Sequence, residues 1–162
     1  MKIIPLDKEH FVAVSSIYLE GLATGVASFE TEAPSWDQWD EKFLNSYRFV
    51  AMVQGEVAGW CALSAVSKRQ VYSGVAEDTI YIASKFQRKG IGNTLLRHLI
   101  SESEKAGFWT LQAGIFPQNK ASIELHKQCG FRIIGIREKI ARRDGKWYDN
   151  MLMERRSTKQ FK

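Results

Sequence analysis

Six residues, Gln87-Arg88-Lys89-Gly90-Ile91-Gly92, join an apolar run (Thr79-Ile80-Tyr81-Ile82-Ala83) to a segment with helical spacing that begins near Ile91. Glycines at the mouth of a helix let backbone N–H groups approach an anion closely. The unpaired amides and partial positive charge of that helix end favour phosphate there. Arg88 and Lys89 add mobile charge at the rim, so the turn predicts a bound pyrophosphate. Two familiar nucleotide patterns fail: Leu95 stands where a third dinucleotide glycine belongs, and no Gly-x-x-x-x-Gly-Lys-Ser/Thr occurs. Taken alone, the turn is equally compatible with a tight strand-to-helix connection whose basic residues are solvated.

The 162 residues are most simply one domain, and 44% apolar with 12% aromatic content predicts a folded core rather than a disordered chain. No apolar run approaches the roughly 20 residues of a membrane span, and the N-terminus lacks a signal-peptide core, so a cytoplasmic protein with no membrane partner is expected. Cys61 and Cys129 read as buried thiols, and His10, His98 and His126 show no ligand spacing, so no metal is expected. The net charge of +5 rests largely on Arg155, Arg156, Lys159 and Lys162; without them the basic residues nearly match the 18 acidic ones. That leaves a near-neutral body and a solvated basic tail over 157–162, which argues against a nucleic-acid partner.

Along the chain, residues 1–6 read as a strand, Asp7 caps a helix over 8–21, and Ser35 and Gln38 have capping-box spacing for a second helix. Strands 49–53 and 57–64 flank a turn at Gln54-Gly55-Glu56, and 72–82 reads as a longer strand bent near Gly74. A helix follows over about 91–106, with Ile91, Leu95, Leu99 and Ala106 inward and Gly107 ending it. Strand 109–115, a short helix ending at Cys129-Gly130, and strands 131–138 and 146–155 complete the order β-α-α-β-β-β-α-β-α-β-β, one mixed α/β domain spanning 1–156.

That order, with the glycine turn opening the third helix, resembles the GNAT N-acetyltransferase superfamily. Its pyrophosphate turn, Gln/Arg-x-x-Gly-x-Gly/Ala, is matched at each defined position by Gln87 to Gly92. Asn119-Lys120-Ala121-Ser122-Ile123-Glu124-Leu125-His126 before Gly130-Phe131 resembles its second signature. The likeness narrows to the phosphinothricin and methionine sulfoximine acetyltransferase group through Ala27 to Glu32, Arg69-x-x-Tyr72, Glu77 with Ile80-Tyr81-Ile82, His126 where most of the superfamily has tyrosine, and Gly145-Lys146-Trp147-Tyr148-Asp149. Val75-Ala76 and the Ser67-Lys68 surroundings of Arg69 depart from the group's pattern.

The resemblance implies a GNAT fold with a central, mostly antiparallel mixed sheet, acetyl-CoA as donor, and a homodimer. It implies that Gln87, Arg88, Lys89, Gly90, Ile91, Gly92 and Asn93 hold the pyrophosphate, and that the strand edge at Ile80, Tyr81 and Ile82 pairs with the amide-rich arm as an added peptide strand does. Read from the residues alone, Ile80 and Ile82 are core positions, and Asn119 caps the next helix as readily as it bonds the arm. Glu77 is the implied general base for the amine; otherwise it is a surface carboxylate. Asp78, its neighbour, alternates to the opposite face. His126 is the implied proton donor to the thiolate, or otherwise a structural histidine. Arg69 with Lys68, Tyr72, Thr79 and Phe29 would bind an amino-acid-like acceptor, although Ser-Lys-Arg-Gln reads equally as loop charge. The expected reaction is direct transfer to the free amine of a phosphinothricin or methionine sulfoximine type substrate. The rivals are another amine (arsinothricin, a polyamine or a protein N-terminus) and a non-catalytic acetyl-CoA sensor.

Overall fold

A computed structural model of the chain describes residues 1–161. The elements run β1 (Lys2–Pro5), α1 (Phe11–Ala23), α2 (Trp36–Lys42), β2 (Arg48–Val53), β3 (Glu56–Ala65), β4 (Val75–Ile82), α3 (Ile91–Lys105), β5 (Thr110–Ile115), α4 (Lys120–Gln128), β6 (Arg132–Arg143) and β7 (Lys146–Arg156). Short 3-10 turns occupy Lys8–His10, Gln70–Tyr72 and Ser84–Phe86. The helix starts are chemically explicit. Asp7 and His10 form a reciprocal capping box, Ser35 and Gln38 form another, and the Asn119 side chain accepts from Ser122 N.

All seven strands lie in one sheet, ordered β1-β2-β3-β4-β5-β7-β6. Every neighbouring pair is antiparallel except β4 and β5, which run parallel. That parallel pairing covers only Val75↔Thr110, Ala76↔Leu111 and Glu77↔Gln112. Beyond Glu77 the strands part: β4 continues to Ile82 paired with β3, and β5 continues to Ile115 paired with β7. The sheet is thus split like a V from Asp78 onward, and peptide groups on the two facing edges lack a strand partner.

Helices α1 and α2 cover one face over Val14, Ile17, Trp39, Phe43, Val50, Trp60 and Ala62. Helices α3 and α4 cover the other over Phe49, Cys61, Leu63, Ala76, Leu95, Leu96, Leu99, Ile123 and Met153. Leu95, Leu96 and Leu99 are wholly buried. Each such burial contributes roughly 1.5–3 kcal/mol, enough to outweigh the roughly 1 kcal/mol that Gly92 costs in the first helical turn.

Three expectations change. The strand expected from Tyr72 begins at Val75, because Gln70–Tyr72 form a 3-10 turn. Gly74 gives way there to a ring, since a Cβ would fall 2.0 Å from Trp109 Cε3. Ala106 is exposed, not inward, because α3 ends at Lys105. The basic C-terminal stretch is not simply solvated: Ser157 N donates to Trp109 O at 2.9 Å, and Lys159 pairs with Glu104 at 3.1 Å. Lys162 lies outside the described residues.

Candidate active site

The V between β4 and β5 opens a cavity of about 1000 Å³, walled by both strands, the 87–93 turn, α4, β6 and the loop between α1 and α2. At its α3 end, Arg88 (φ 58°) and Gly90 (φ 78°) both adopt the left-handed conformation that turns the chain into the helix. Gly90 is the N-cap and offers no side chain, so the first amides of α3 are left without an intrahelical partner. Gln87 Nε2 donates to Ile82 O at 3.3 Å and ties the turn to the strand. Gln87, Arg88, Gly90, Ile91, Gly92 and Asn93 reach the cavity wall. Lys89 does not; its ammonium lies 5.4 Å from the Phe86 ring centre. These unpaired amides beside a cationic side chain fit a pyrophosphate, and the unpaired edge of β4 fits an amide-rich arm.

On β4, side chains alternate between faces. Ile80 and Ile82 pack into the α3–α4 core, whereas Tyr81 stacks on Trp60 at 5.3 Å and meets Tyr18 edge-on at 5.1 Å. Tyr81 Oη donates to Ala27 O at 3.3 Å, and burial raises its phenol well above the ordinary range, so it stays neutral. Core packing by these side chains leaves the backbone edge free to face the slot.

Glu77 is the last residue of β4 paired with β5, and it shares a face with Thr79. Gln112 Nε2 donates to Glu77 Oε2 at 2.9 Å, and both Glu77 and Thr79 line the cavity. Asp78 points to the other face, as alternation requires. There it meets His126 of α4, with Nε2 2.9 Å from Asp78 Oδ1 and side chains 2% and 1% exposed. His126 Nδ1 lies 2.7 Å from Ser122 O. The Ser122 carbonyl accepts from Nδ1, and a carboxylate at Nε2 favours a second N–H there, so the surroundings favour the imidazolium. Burial alone would lower its pKa, but the Asp78 carboxylate and Ser122 carbonyl outweigh that and raise it. The expected proton donor to a thiolate therefore has both N–H groups committed elsewhere.

The loop before α2 closes the cavity. Phe29 packs on Phe116 at 4.5 Å and on Tyr148 at 6.1 Å. Arg143, near the β6–β7 turn, donates to Ser28 O at 2.8 Å and Gly25 O at 3.0 Å, pinning that loop from above. Asn119 caps α4 and also donates from Nδ2 to Val26 O at 3.4 Å.

The chain matches the model of the acetyltransferase (GNAT) family over residues 13–131. It belongs to the GNAT acetyltransferase family. It is 30% identical over 153 residues to phosphinothricin N-acetyltransferase of Streptomyces viridochromogenes, covering 92% of this chain and 84% of that protein. It is 28% identical over 153 residues to L-methionine sulfoximine/L-methionine sulfone acetyltransferase of Salmonella typhimurium, covering 91% of this chain and 90% of that protein. The crystal structure of a GNAT superfamily phosphinothricin acetyltransferase from Sinorhizobium meliloti in complex with acetyl-CoA superposes with a TM-score of 0.85 at 28% identity, covering 96% of this chain and 87% of that one.

Within this GNAT acetyltransferase, not every expected residue reaches the cavity. Lys68, Arg69 and Tyr72 do not line it. They occupy the β3–β4 connection at the closed end of the V, where β4 and β5 are still paired, so they lie at the wrong end of the strand. Arg69 instead lies 5.4 Å from the Tyr72 ring centre. Gln112, Asn150, Arg137 and Arg143 belong to no motif of the sequence; only Gln112 carries a signal, its place on a strand neighbouring that of Glu77. Cys61 and Cys129 are both buried. Burial, with Asp78 behind it, pushes the Cys61 thiol well up, and burial outweighs Arg97 to raise Cys129. Asp7, Glu9 and His10 gather three ligand-type side chains, but Asp7 Oδ1 accepts from Glu9 N and His10 Nδ1 from Asp7 N, as a helix cap requires. Among the described residues, no helix is long and apolar enough to cross a membrane.

Proposed function

We propose that this protein acetylates the free amino group of a small amino-acid-like acceptor, of the phosphinothricin or methionine sulfoximine type, using acetyl-CoA. One observation carries the reading: Glu77 is fixed by Gln112 at the point where β4 and β5 part, facing the cavity. Acetyl-CoA supplies an activated thioester. The amides opening α3 hold its pyrophosphate, and the free edge of β4 at Ile80–Ile82 pairs with its arm. An alkyl amine attacks only when neutral, and Glu77 accepts the proton it must lose, directly or through one water. Thr79, on the same face, bonds the acceptor, and the Phe29–Phe116–Tyr148 cluster excludes water from it. The raised thiols of Cys61 and Cys129 disfavour an acyl-enzyme, so transfer is direct. His126 serves by holding β4 to α4 through Asp78.

Exposed Ile133, Ile134, Ile136, Ile140 and Trp147 along β6 and the start of β7 support a homodimer. The test is thiol release from acetyl-CoA with phosphinothricin, methionine sulfoximine and spermidine as separate acceptors. Turnover with an amino-acid analogue but not spermidine is expected. Turnover with spermidine alone, or with none despite acetyl-CoA binding, removes the reading.

A further inference from the structure

Arg137 of β6 and Asn150 of β7 are register partners, and Arg137 Nη2 donates to Asn150 Oδ1 at 3.1 Å. Asn150 is 7% exposed, while Arg137 is open to solvent, and both line the cavity. Gly114 of β5 makes the room: a Cβ there would stand 3.1 Å from Asn150 Oδ1. A buried amide pressed against bare backbone is held in one orientation, and its oxygen fixes one edge of the guanidinium. An arginine has five N–H donors, so most of this one's remain available. Among the described residues Arg137 makes no ion pair. The carboxylates that share the cavity are engaged elsewhere: Glu20 with Ser84, Glu77 with Gln112 and Asp78 with His126. Exposed Glu30 and Glu124 also line the cavity, and among the described residues neither forms an ion pair with Arg137.

The same sheet face carries Glu77. Gln112 bonds Glu77, Gly114 lies two residues along β5 on that face, and Asn150 sits over Gly114. One cavity therefore has a carboxylate at one end and an oriented guanidinium at the other. The strand order β4-β5-β7-β6 separates them by three strand spacings, about 14 Å sideways between backbones. Register adds four residues along β7, from Glu154 opposite Gln112 to Asn150, about 13 Å more, so the two ends suit an acceptor whose anion lies several bonds from its amine.

We propose that Arg137, held by Asn150, binds an anionic group at the far end of the acceptor, a phosphinate or a side-chain carboxylate, while the amine lies at Glu77. The assignment rests on the proposed acetyltransferase reaction and deepens it, because it makes the protein favour phosphinothricin, with its distal anion, over methionine sulfoximine, whose distal group is neutral. The planar guanidinium suits a two-oxygen anion.

Steady-state kinetics with both acceptors decide the matter, using Arg137→Gln, Arg137→Lys and the wild-type protein. Arg137→Gln is expected to raise KM for phosphinothricin about tenfold or more, the usual size of a lost charge-assisted hydrogen bond. The KM for acetyl-CoA and kcat/KM for methionine sulfoximine should stay within about twofold, with Arg137→Lys partly restoring phosphinothricin. If both acceptors lose equally, Arg137 supports the site as a whole, and if neither does it is a solvated edge residue; either result overturns the assignment while the reaction stands. Wild-type protein inert to both acceptors overturns the reaction itself, and the assignment with it.

Discussion

His126 Nε2 lies 2.9 Å from Asp78 Oδ1 in an ion pair that joins α4 to β4 just past the point where the sheet splits. Asp78 Oδ2 is buried and has no protein hydrogen-bond partner. The pair spans 48 positions of sequence and is the polar link between the strand and the helix on that side of the cavity. Its properties can be separated from those of the reacting groups.

Stability follows from the desolvation of both partners. Asp78→Leu or His126→Leu alone leaves one uncompensated polar group in the core and should cost about 3–5 kcal/mol. The double replacement removes both groups and should recover a large part of that loss. Urea titrations of the four proteins measure the coupling; additive losses would mean that the two residues do not act as a pair.

The pair also sets a pH dependence with a definite sign. Its His126 pKa is raised above the unfolded value of about 6.5. A folded state that holds its proton more tightly is stabilised below the unfolded pKa and loses that gain as pH climbs through the folded one. The stability gap between wild type and Asp78→Leu/His126→Leu should therefore favour wild type most below about pH 6.5 and move against it as pH rises from there through the folded pKa. Thermal unfolding across neutral and alkaline pH reads this directly, and a gap moving the other way would show that His126 folds as the neutral ring.

Glu77 should separate chemistry from binding. Glu77→Gln keeps the size of the side chain but cannot take a proton, so kcat should fall roughly 10²–10⁴-fold with KM for acetyl-CoA unchanged. The defect should shrink at alkaline pH, where the amine loses its proton unaided. Gln112→Leu leaves the base in place but frees its carboxylate, and should lower kcat by a smaller factor. Unchanged turnover in Glu77→Gln would assign the proton to another group.

The turn into α3 distinguishes its two glycines. Gly90 sits at φ 78°, where a Cβ meets no neighbour but the backbone is strained for any L side chain. Gly90→Ala should cost about 1–2 kcal/mol and weaken acetyl-CoA binding without altering acceptor KM. A Cβ on Gly92 would lie 3.4 Å from Leu125 Cδ2, an ordinary contact, so Gly92→Ala should leave the fold intact and act only on cofactor affinity. Calorimetric titration with CoA, alongside melting curves, tells the two apart.

Whatever is set by near neighbours along the chain was legible in the residues alone. The caps at Asp7, Ser35 and Asn119, the turn at Gln54-Gly55 and the strand–glycine–helix junction at Gln87 to Gly92 are local hydrogen-bond and dihedral choices, and each is where its residues put it. Strand alternation likewise placed Glu77 and Asp78 on opposite faces. Tertiary structure decided what those residues meet. The parting of β4 from β5 after Glu77 depends on strand order, which no local pattern encodes, and it created the cavity while leaving Arg69 at the closed end. The commitment of His126 to Asp78, the clamp of Arg143 on Gly25 and Ser28, and the meeting of Arg137 with Asn150 over Gly114 arise the same way. Each joins separate elements, and burial in the assembled core, rather than spacing along the chain, fixes its partner.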